Sequence, residues 1–242
     1  MNWAMIFGAS GDIGSQVARD LADRGWSLYL HYYRNRDRIS ELAAELAERH
    51  PAQDFIVLQY DMTDAENVSS VCDAVFGTLN AVIFSEGTTF YSLFSELSPE
   101  NLDLMITMQL RTPLRIVQSL EKRLARADFG RIVFVGSVYG GAGSAMEVGY
   151  STVKGALSAF SRAYAKEVAS LGITVNVVAP GAVDTQMNSI FSLDEKEEVD
   201  SEIPIGRFAS PAEISYWVTT LLDKKAGYMT GQTLYATGGW LK

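Results

Sequence analysis

The chain carries one cysteine, Cys72, in 242 residues, so an internal disulfide is excluded. Cys72 lies in a helical pattern and reads as a small core residue, which suits a reducing cytosol. No apolar run reaches membrane-spanning length. No basic segment with an apolar stretch behind it precedes the first strand pattern, so neither a membrane anchor nor a secretory signal is expected, and a cytoplasmic location is. Basic charge is also scarce. Twenty Lys and Arg stand against 29 Asp and Glu, and the net charge of −9 argues against nucleic acid or an anionic membrane as partner. Glycine- or proline-rich linkers and internal repeats are missing, so nothing divides the chain into domains. Apolar residues are plentiful, at 48% against 20% charged, which is enough for a sizeable core.

Apolar runs alternate with helical patterns from end to end. Strands are expected at Trp3–Phe7, Ser27–Tyr32, Asp54–Gln59, Ala81–Phe84, Arg131–Gly136, Ile173–Ala179 and Thr233–Tyr235. Helices are expected at Ile13–Arg24, Asp37–Arg49, Ala65–Phe76, Pro99–Arg126, Val148–Leu171 and Pro211–Leu222. Ile39, Leu42 and Leu46 recur at helical steps among charges, whereas the strand segments are nearly continuous in apolar residues, as buried parallel strands are. Such alternation predicts an α/β fold: one doubly wound Rossmann-type domain over residues 1–242, with a mostly parallel sheet of about seven strands and helices on both faces. Ligands of such sheets lie beyond the carboxyl ends of the strands, where the strand order reverses.

"FGASGDIG" follows the first strand and opens the first helix. Gly8, Gly11 and Gly14 permit a sharp turn and a close backbone approach, and the helix beginning at Asp12–Ile13 offers amides and a positive dipole end to an anion. The setting predicts a dinucleotide pyrophosphate here. Asp12 is expected to point to solvent. A carboxylate about 6 Å from the pyrophosphate would cost roughly 2–3 kcal/mol at an effective dielectric near 20.

These motifs, with "YDMTD", "FSEG", "GSVYG", "YSTVK" and "VNVVAPGAVDT", resemble those of the short-chain dehydrogenase/reductase family over the whole chain. Two positions of the turn depart from the family's Thr-Gly-x-x-x-Gly-x-Gly: Phe7 replaces the threonine and Asp12 the middle glycine. Of the usual Asn-Asn-Ala-Gly only Gly87 survives, with Glu86 before it. The resemblance implies that Gly8, Ser10, Asp12, Ile13 and Gly14 hold phosphate, Asp61 and Met62 the adenine, and Gly87, Pro180, Gly181, Val183 and Thr185 the nicotinamide half. An acid at the end of the second strand would select NAD. "LHYYRNR" has none there, and Arg34, with Arg36 as second choice, can pair with a 2′-phosphate, so NADPH is the expected cofactor. No metal is called for.

Tyr150 and Lys154 are four apart on one helical face, and Ser137 ends a strand thirteen residues upstream. The resemblance makes these three the catalytic set, with Tyr150 and Lys154 also touching the cofactor ribose. Hydride reaching a ketone carbon leaves charge on oxygen. Tyr150 is then the general acid, Lys154 lowers the phenol's pKa, and Ser137 donates to the carbonyl oxygen. The family's helical asparagine aligns with Gln109, whose longer amide either reaches the proton-relay water or disrupts it.

The nearest likeness is to 3-oxoacyl-acyl-carrier-protein reductases, through "EIPIGRFASPAEI" and "VAPGAVDTQM". Those enzymes meet an acidic carrier with basic residues near the site mouth. Here the aligned positions hold Asp128 and Leu171, with Lys122, Arg123, Arg126 and Arg131 as possible compensation. A flap over residues 182–206 is expected to cover the substrate. Its Met187, Ile190, Phe191 and Leu193 can close on an apolar chain. Its acids, Asp194, Glu195, Glu197, Glu198, Asp200 and Glu202, read mainly as a solvated face. If some of these point inward with Glu86 and Glu147, a cationic substrate is favoured. The flap also resembles bacterial reductases of the 5-aminopentanone group on a lysine of elongation factor P, which is the alternative substrate. A third reading is a nucleotide-binding sensor with little catalysis. The resemblance also implies a homotetramer built on the two long helices and the closing strand.

Overall fold

The computed structural model describes residues 2–186 and 193–240. Seven strands are β1 (Asn2–Phe7), β2 (Trp26–Tyr32), β3 (Phe55–Gln59), β4 (Ala81–Phe84), β5 (Gly130–Val135), β6 (Ile173–Pro180) and β7 (Thr233–Ala236). They form one sheet in the order β3-β2-β1-β4-β5-β6-β7, and every pairing is parallel. The helices are α1 (Asp12–Asp23), α2 (Arg36–Arg49), α3 (Val68–Cys72), α4 (Pro99–Ile106), α5 (Thr112–Leu124), α6 (Tyr139–Ala142), α7 (Val148–Val168), α8 (Leu193–Glu202) and α9 (Pro211–Leu222). None of them is long and apolar enough to cross a membrane.

Side-chain alternation along each strand divides the core into two layers. Ala4 and Ile6 of β1 face α1, α2 and α9 through Val17, Leu21, Ile39, Leu46 and Val218. Met5 and Phe7 face the other way, onto α3, α5 and α7 through Val71, Ile116, Leu120 and Leu157. Strand order reverses between β1, which pairs with β2 on one side, and β4 on the other. The first turn, the end of β4 and the end of β5 therefore meet at one edge.

Two elements differ from the sequence expectation. The third helix forms only at Val68–Cys72 rather than over Ala65–Phe76. The Asp64 carboxylate accepts the amides of Glu66 and Asn67 at 3.3 and 3.2 Å, a local turn that competes with helix over the first residues of the stretch. The long middle helix is interrupted by a π-helical turn, Thr107–Arg111, with Gln109 at its centre. π-turns of this kind concentrate at functional sites.

Candidate active site

The first turn is shaped by close backbone approach. Gly8 adopts φ +75°, and a Cβ there would lie 2.7 Å from the Glu86 amide nitrogen. A Cβ on Gly14 would strike the Gly8 carbonyl oxygen and come within 2.7 Å of Ser85 Oγ. Helix α1 begins at Gly11, which has no side chain to cap it, so its first turn is presented as an anion site. The cradle fits a pyrophosphate. Ser10 and Ile13 lie within it, and Ser15 Oγ donates to the Asp12 carbonyl at 3.1 Å.

Asp12 does not point to free solvent. Its Oδ1 pairs with Arg38 at 2.5 Å and its Oδ2 accepts the Gln186 amide at 2.7 Å, leaving 23% of the side chain exposed. Arg38 and the amide hold the carboxyl below its usual range against the opposing effect of burial. The acid is thus turned away from the glycine cradle and joins α1, α2 and the start of the flap.

His31 was not singled out in the sequence. It is buried in β2, accepts the Gly8 amide on Nδ1 at 3.1 Å and meets the Tyr60 carbonyl through Nε2 at 3.0 Å. Its proton therefore sits on Nε2. Burial pushes its pKa down to about 4. The available signal was a lone polar residue within an apolar strand. Phe7 and Phe84, two of the departures from the family pattern, are stacked on one another at 5.0 Å, and Phe84 stacks on Phe134 at 4.9 Å.

At the adenine end, Arg34 is exposed just beyond β2, 5.1 Å over the Tyr33 ring. Its charge, the Thr63 amide and hydroxyl, and Tyr33 all lower the pKa of Asp61, outweighing burial. Met62 is buried beside it. Beyond β6, the Gly181 amide donates to Ala236 at 3.1 Å, Val183 is buried and bridges to Ala209, and Thr185 Oγ1 donates to the Val183 carbonyl at 3.4 Å. Pro180, the last residue of β6, accepts the Val138 amide at 2.7 Å, which ties this turn to the segment carrying Ser137.

Ser137, Tyr150 and Lys154 are brought together. Ser137 lies close enough to the Tyr150 phenol to oppose the rise of its pKa. Lys154 is buried, 5.5 Å from the Tyr150 ring, and its Nζ donates to the Val135 carbonyl at 3.0 Å. One expectation needs correction here. Burial, reinforced by Glu147 and Tyr139, pushes the Tyr150 phenol up to about 12, despite Ser137. The phenol is thus raised on balance, not lowered. Gln109 is buried and its amide nitrogen donates to the Thr88 carbonyl at 2.7 Å, while its Oε1 has no partner among the described residues. It ties the segment after Gly87 to the middle helix.

Acids surround this set. Glu147 accepts from Thr89 Oγ1 at 2.8 Å, and Glu147 and Glu202 both raise the pKa of Tyr139, behind burial as the main cause. Asp194, Glu195, Glu197 and Glu198 lie on the exposed side of α8. Met187, Ile190, Phe191 and the side chain of Leu193 lie outside the described residues. Arg131 cannot help to receive an acidic carrier. It is buried, and it donates to the carbonyls of Gly130, Asp223 and Lys224 at 2.8–3.4 Å. Asp128 and Leu171 precede β5 and β6, at the opposite end of the sheet from the catalytic edge.

A seven-stranded parallel sheet with a glycine turn after β1 and a Ser–Tyr–Lys cluster at the same edge defines a nucleotide-dependent oxidoreductase. The chain belongs to the short-chain dehydrogenase/reductase family: the family profile described as enoyl-(acyl carrier protein) reductase matches residues 8–241. It is 38% identical over 237 residues, 98% of both chains, to the uncharacterized oxidoreductase YmfI of Bacillus subtilis. To the 3-oxoacyl-[acyl-carrier-protein] reductase FabG of Escherichia coli it is 31% identical, covering 98% of this chain and 96% of that one. The crystal structure of YwfH, an NADPH-dependent reductase involved in bacilysin biosynthesis, superposes with a TM-score of 0.92 at 26% identity, over 100% and 98% of the two chains.

Proposed function

We propose that this oxidoreductase reduces a ketone with NADPH. The observation that carries the reading is the meeting of Ser137, Tyr150 and Lys154 at the edge where the glycine turn lies. Gly8, Ser10, Gly14 and the amides of Asp12 and Ile13 hold the pyrophosphate. Asp61 and Met62 flank the adenine, and Gly87, Pro180, Gly181, Val183 and Thr185 line the nicotinamide half. The bound cofactor supplies hydride. Tyr150, protonated at neutral pH, gives its proton to the forming alkoxide, and Ser137 donates to the same oxygen. Lys154 holds the ribose and supplies positive charge beside the phenol. The preference for NADPH is supported by exposed Arg34 and by the lack of an acid at the end of β2. It also matches the named cofactor requirement of YwfH. The intact cluster leaves the non-catalytic sensor reading without support.

The substrate reading nearest to the named relatives is a 3-oxoacyl group on a carrier. The acids around the site favour a second, a ketone that also carries an amine, such as the 5-aminopentanone group on elongation factor P. Glu147 and Glu202 act on Tyr139, and Arg131 is committed to backbone carbonyls. With NADPH, turnover of a neutral 3-oxoacyl thioester and of an amino-ketone is to be compared. A kcat/KM at least tenfold higher for the amino-ketone is expected, and the reverse ratio returns the assignment to carrier-linked thioesters. Reduction of neither overturns the ketone reading. A homotetramer is proposed with it, supported by exposed Tyr216, Trp217, Tyr228, Met229 and Tyr235 on α9 and near β7.

A further inference from the structure

We propose that Glu86 is a positioning residue for the catalytic set, its buried carboxyl group holding Lys154 in the ammonium form. The inference rests on the reductase reading above and assigns a role to a residue that the family pattern does not supply.

Register carries the geometry. Phe84 of β4 pairs with Phe134 of β5, and Glu86 follows the one by two residues as Gly136 follows the other. The Lys154 ammonium reaches the Val135 carbonyl, one residue before Gly136, at 3.0 Å. Adjacent strands are about 5 Å apart, which brings the two side chains to neighbouring strand ends. The Glu86 backbone is held in place against Gly8, where even a methyl group would lie 2.7 Å from its amide nitrogen. Among the described residues, no group hydrogen-bonds its buried Oε2. A buried carboxylate so placed is costly unless a cation offsets it.

Each group acts on the other. Burial pushes Lys154 down and Glu86 opposes this; burial pushes Glu86 up, and its own backbone amide, Lys154 and the Ser85 backbone oppose that. The other titratable groups at the edge are Tyr150 on α7, Tyr139 and Glu147 beside it, Glu202 from the flap, and neutral His31 facing the first turn from β2. Tyr150, raised by burial, benefits from an ammonium beside it, and burial of Lys154 works against that charge. A carboxylate in contact with the same buried space shifts the balance back toward the ammonium.

The test is a titration of Lys154 Nζ by ¹⁵N NMR in the cofactor-free protein, with Lys154→Arg identifying the signal. Glu86→Gln is expected to lower the Lys154 midpoint by about one pH unit or more, the scale of an opposite charge at short range. Glu86→Asp, which keeps the charge, is expected to stay within about half a unit of wild type, and Glu86→Ala takes the place of the glutamine variant if that does not fold. In ketone reduction, the alkaline fall of kcat in Glu86→Gln should move to lower pH by a similar shift. An unmoved Lys154 midpoint in the charge-removing variant, or a kcat lowered equally at all pH values there, overturns the proposal. If wild type reduces no ketone, the reductase reading falls, while the cofactor-free titration still decides the Glu86–Lys154 relation.

Discussion

At the first turn, between Gly8 and Gly14, nearly every feature that shapes the site is backbone: a positive φ, a close approach to Glu86 and an uncapped helix start. At the Ser137–Tyr150–Lys154 cluster, the features are side-chain atoms: one hydroxyl beyond β5, and one phenol and one ammonium on α7. The family pattern is broken at the first turn, by Phe7 and Asp12, yet intact at Ser137, Tyr150 and Lys154. Amides grip a phosphate whatever side chains flank them, provided that the turn keeps its shape. Proton transfer needs a particular atom with a particular acidity at a particular place. The turn therefore tolerates substitution when its shape is held from elsewhere. Here that support comes from His31, which accepts the Gly8 amide, and from the stack of Phe7, Phe84 and Phe134.

Three experiments break or sharpen this contrast. Tyr150→Phe removes one oxygen atom and should lower kcat by at least about a hundredfold, with NADPH affinity little changed. Stopped-flow hydride transfer measures it, and near-wild-type turnover would remove Tyr150 from the acid role.

His31 gives the next largest effect. Its pKa falls from an ordinary 6.5 to about 4 on folding. Between these values the unfolded chain binds more protons, so the stability from keeping His31 neutral is complete above about pH 6.5. It declines as the pH drops toward 4. The full span is about 3 kcal/mol. Urea denaturation at pH 7 and pH 4.5 should show His31→Gln losing less stability on acidification than wild type. Parallel pH dependences would mean that the imidazole is not held neutral.

Asp12 gives the smallest effect. Its pair with Arg38 is partly exposed, so Asp12→Asn should cost less than about 1 kcal/mol. NADPH affinity by titration calorimetry should change by less than about fivefold, equivalent to about 1 kcal/mol. A tightening of tenfold or more would place the carboxylate against the pyrophosphate after all.

Much of the site was legible because its motifs sit at strand ends. Once alternating apolar runs define a parallel sheet, Gly8, Ser137 and Pro180 fall on one edge by topology, and the four-residue step from Tyr150 to Lys154 needs only a helix. The partners of these groups were not legible. Asp12 meets Gln186, 174 positions away, and Lys154 meets the end of β5 through the carbonyl of Val135. Arg131 looked available for a partner because sequence carries no sign of burial, yet its guanidinium is occupied by carbonyls. The third helix was overextended because apolar spacing does not register Asp64 capturing nearby amides.

Local pattern alone determined the element order, the parallel doubly wound class and the residues able to do proton chemistry, since these depend on periodicity and side-chain type. Tertiary structure decided where the charges act. It turned Asp12 toward Arg38, kept His31 neutral and lifted the Tyr150 phenol. The reason is physical: ionisation energies depend on burial and on charges a few ångströms away, and those distances are set by chain segments remote in sequence.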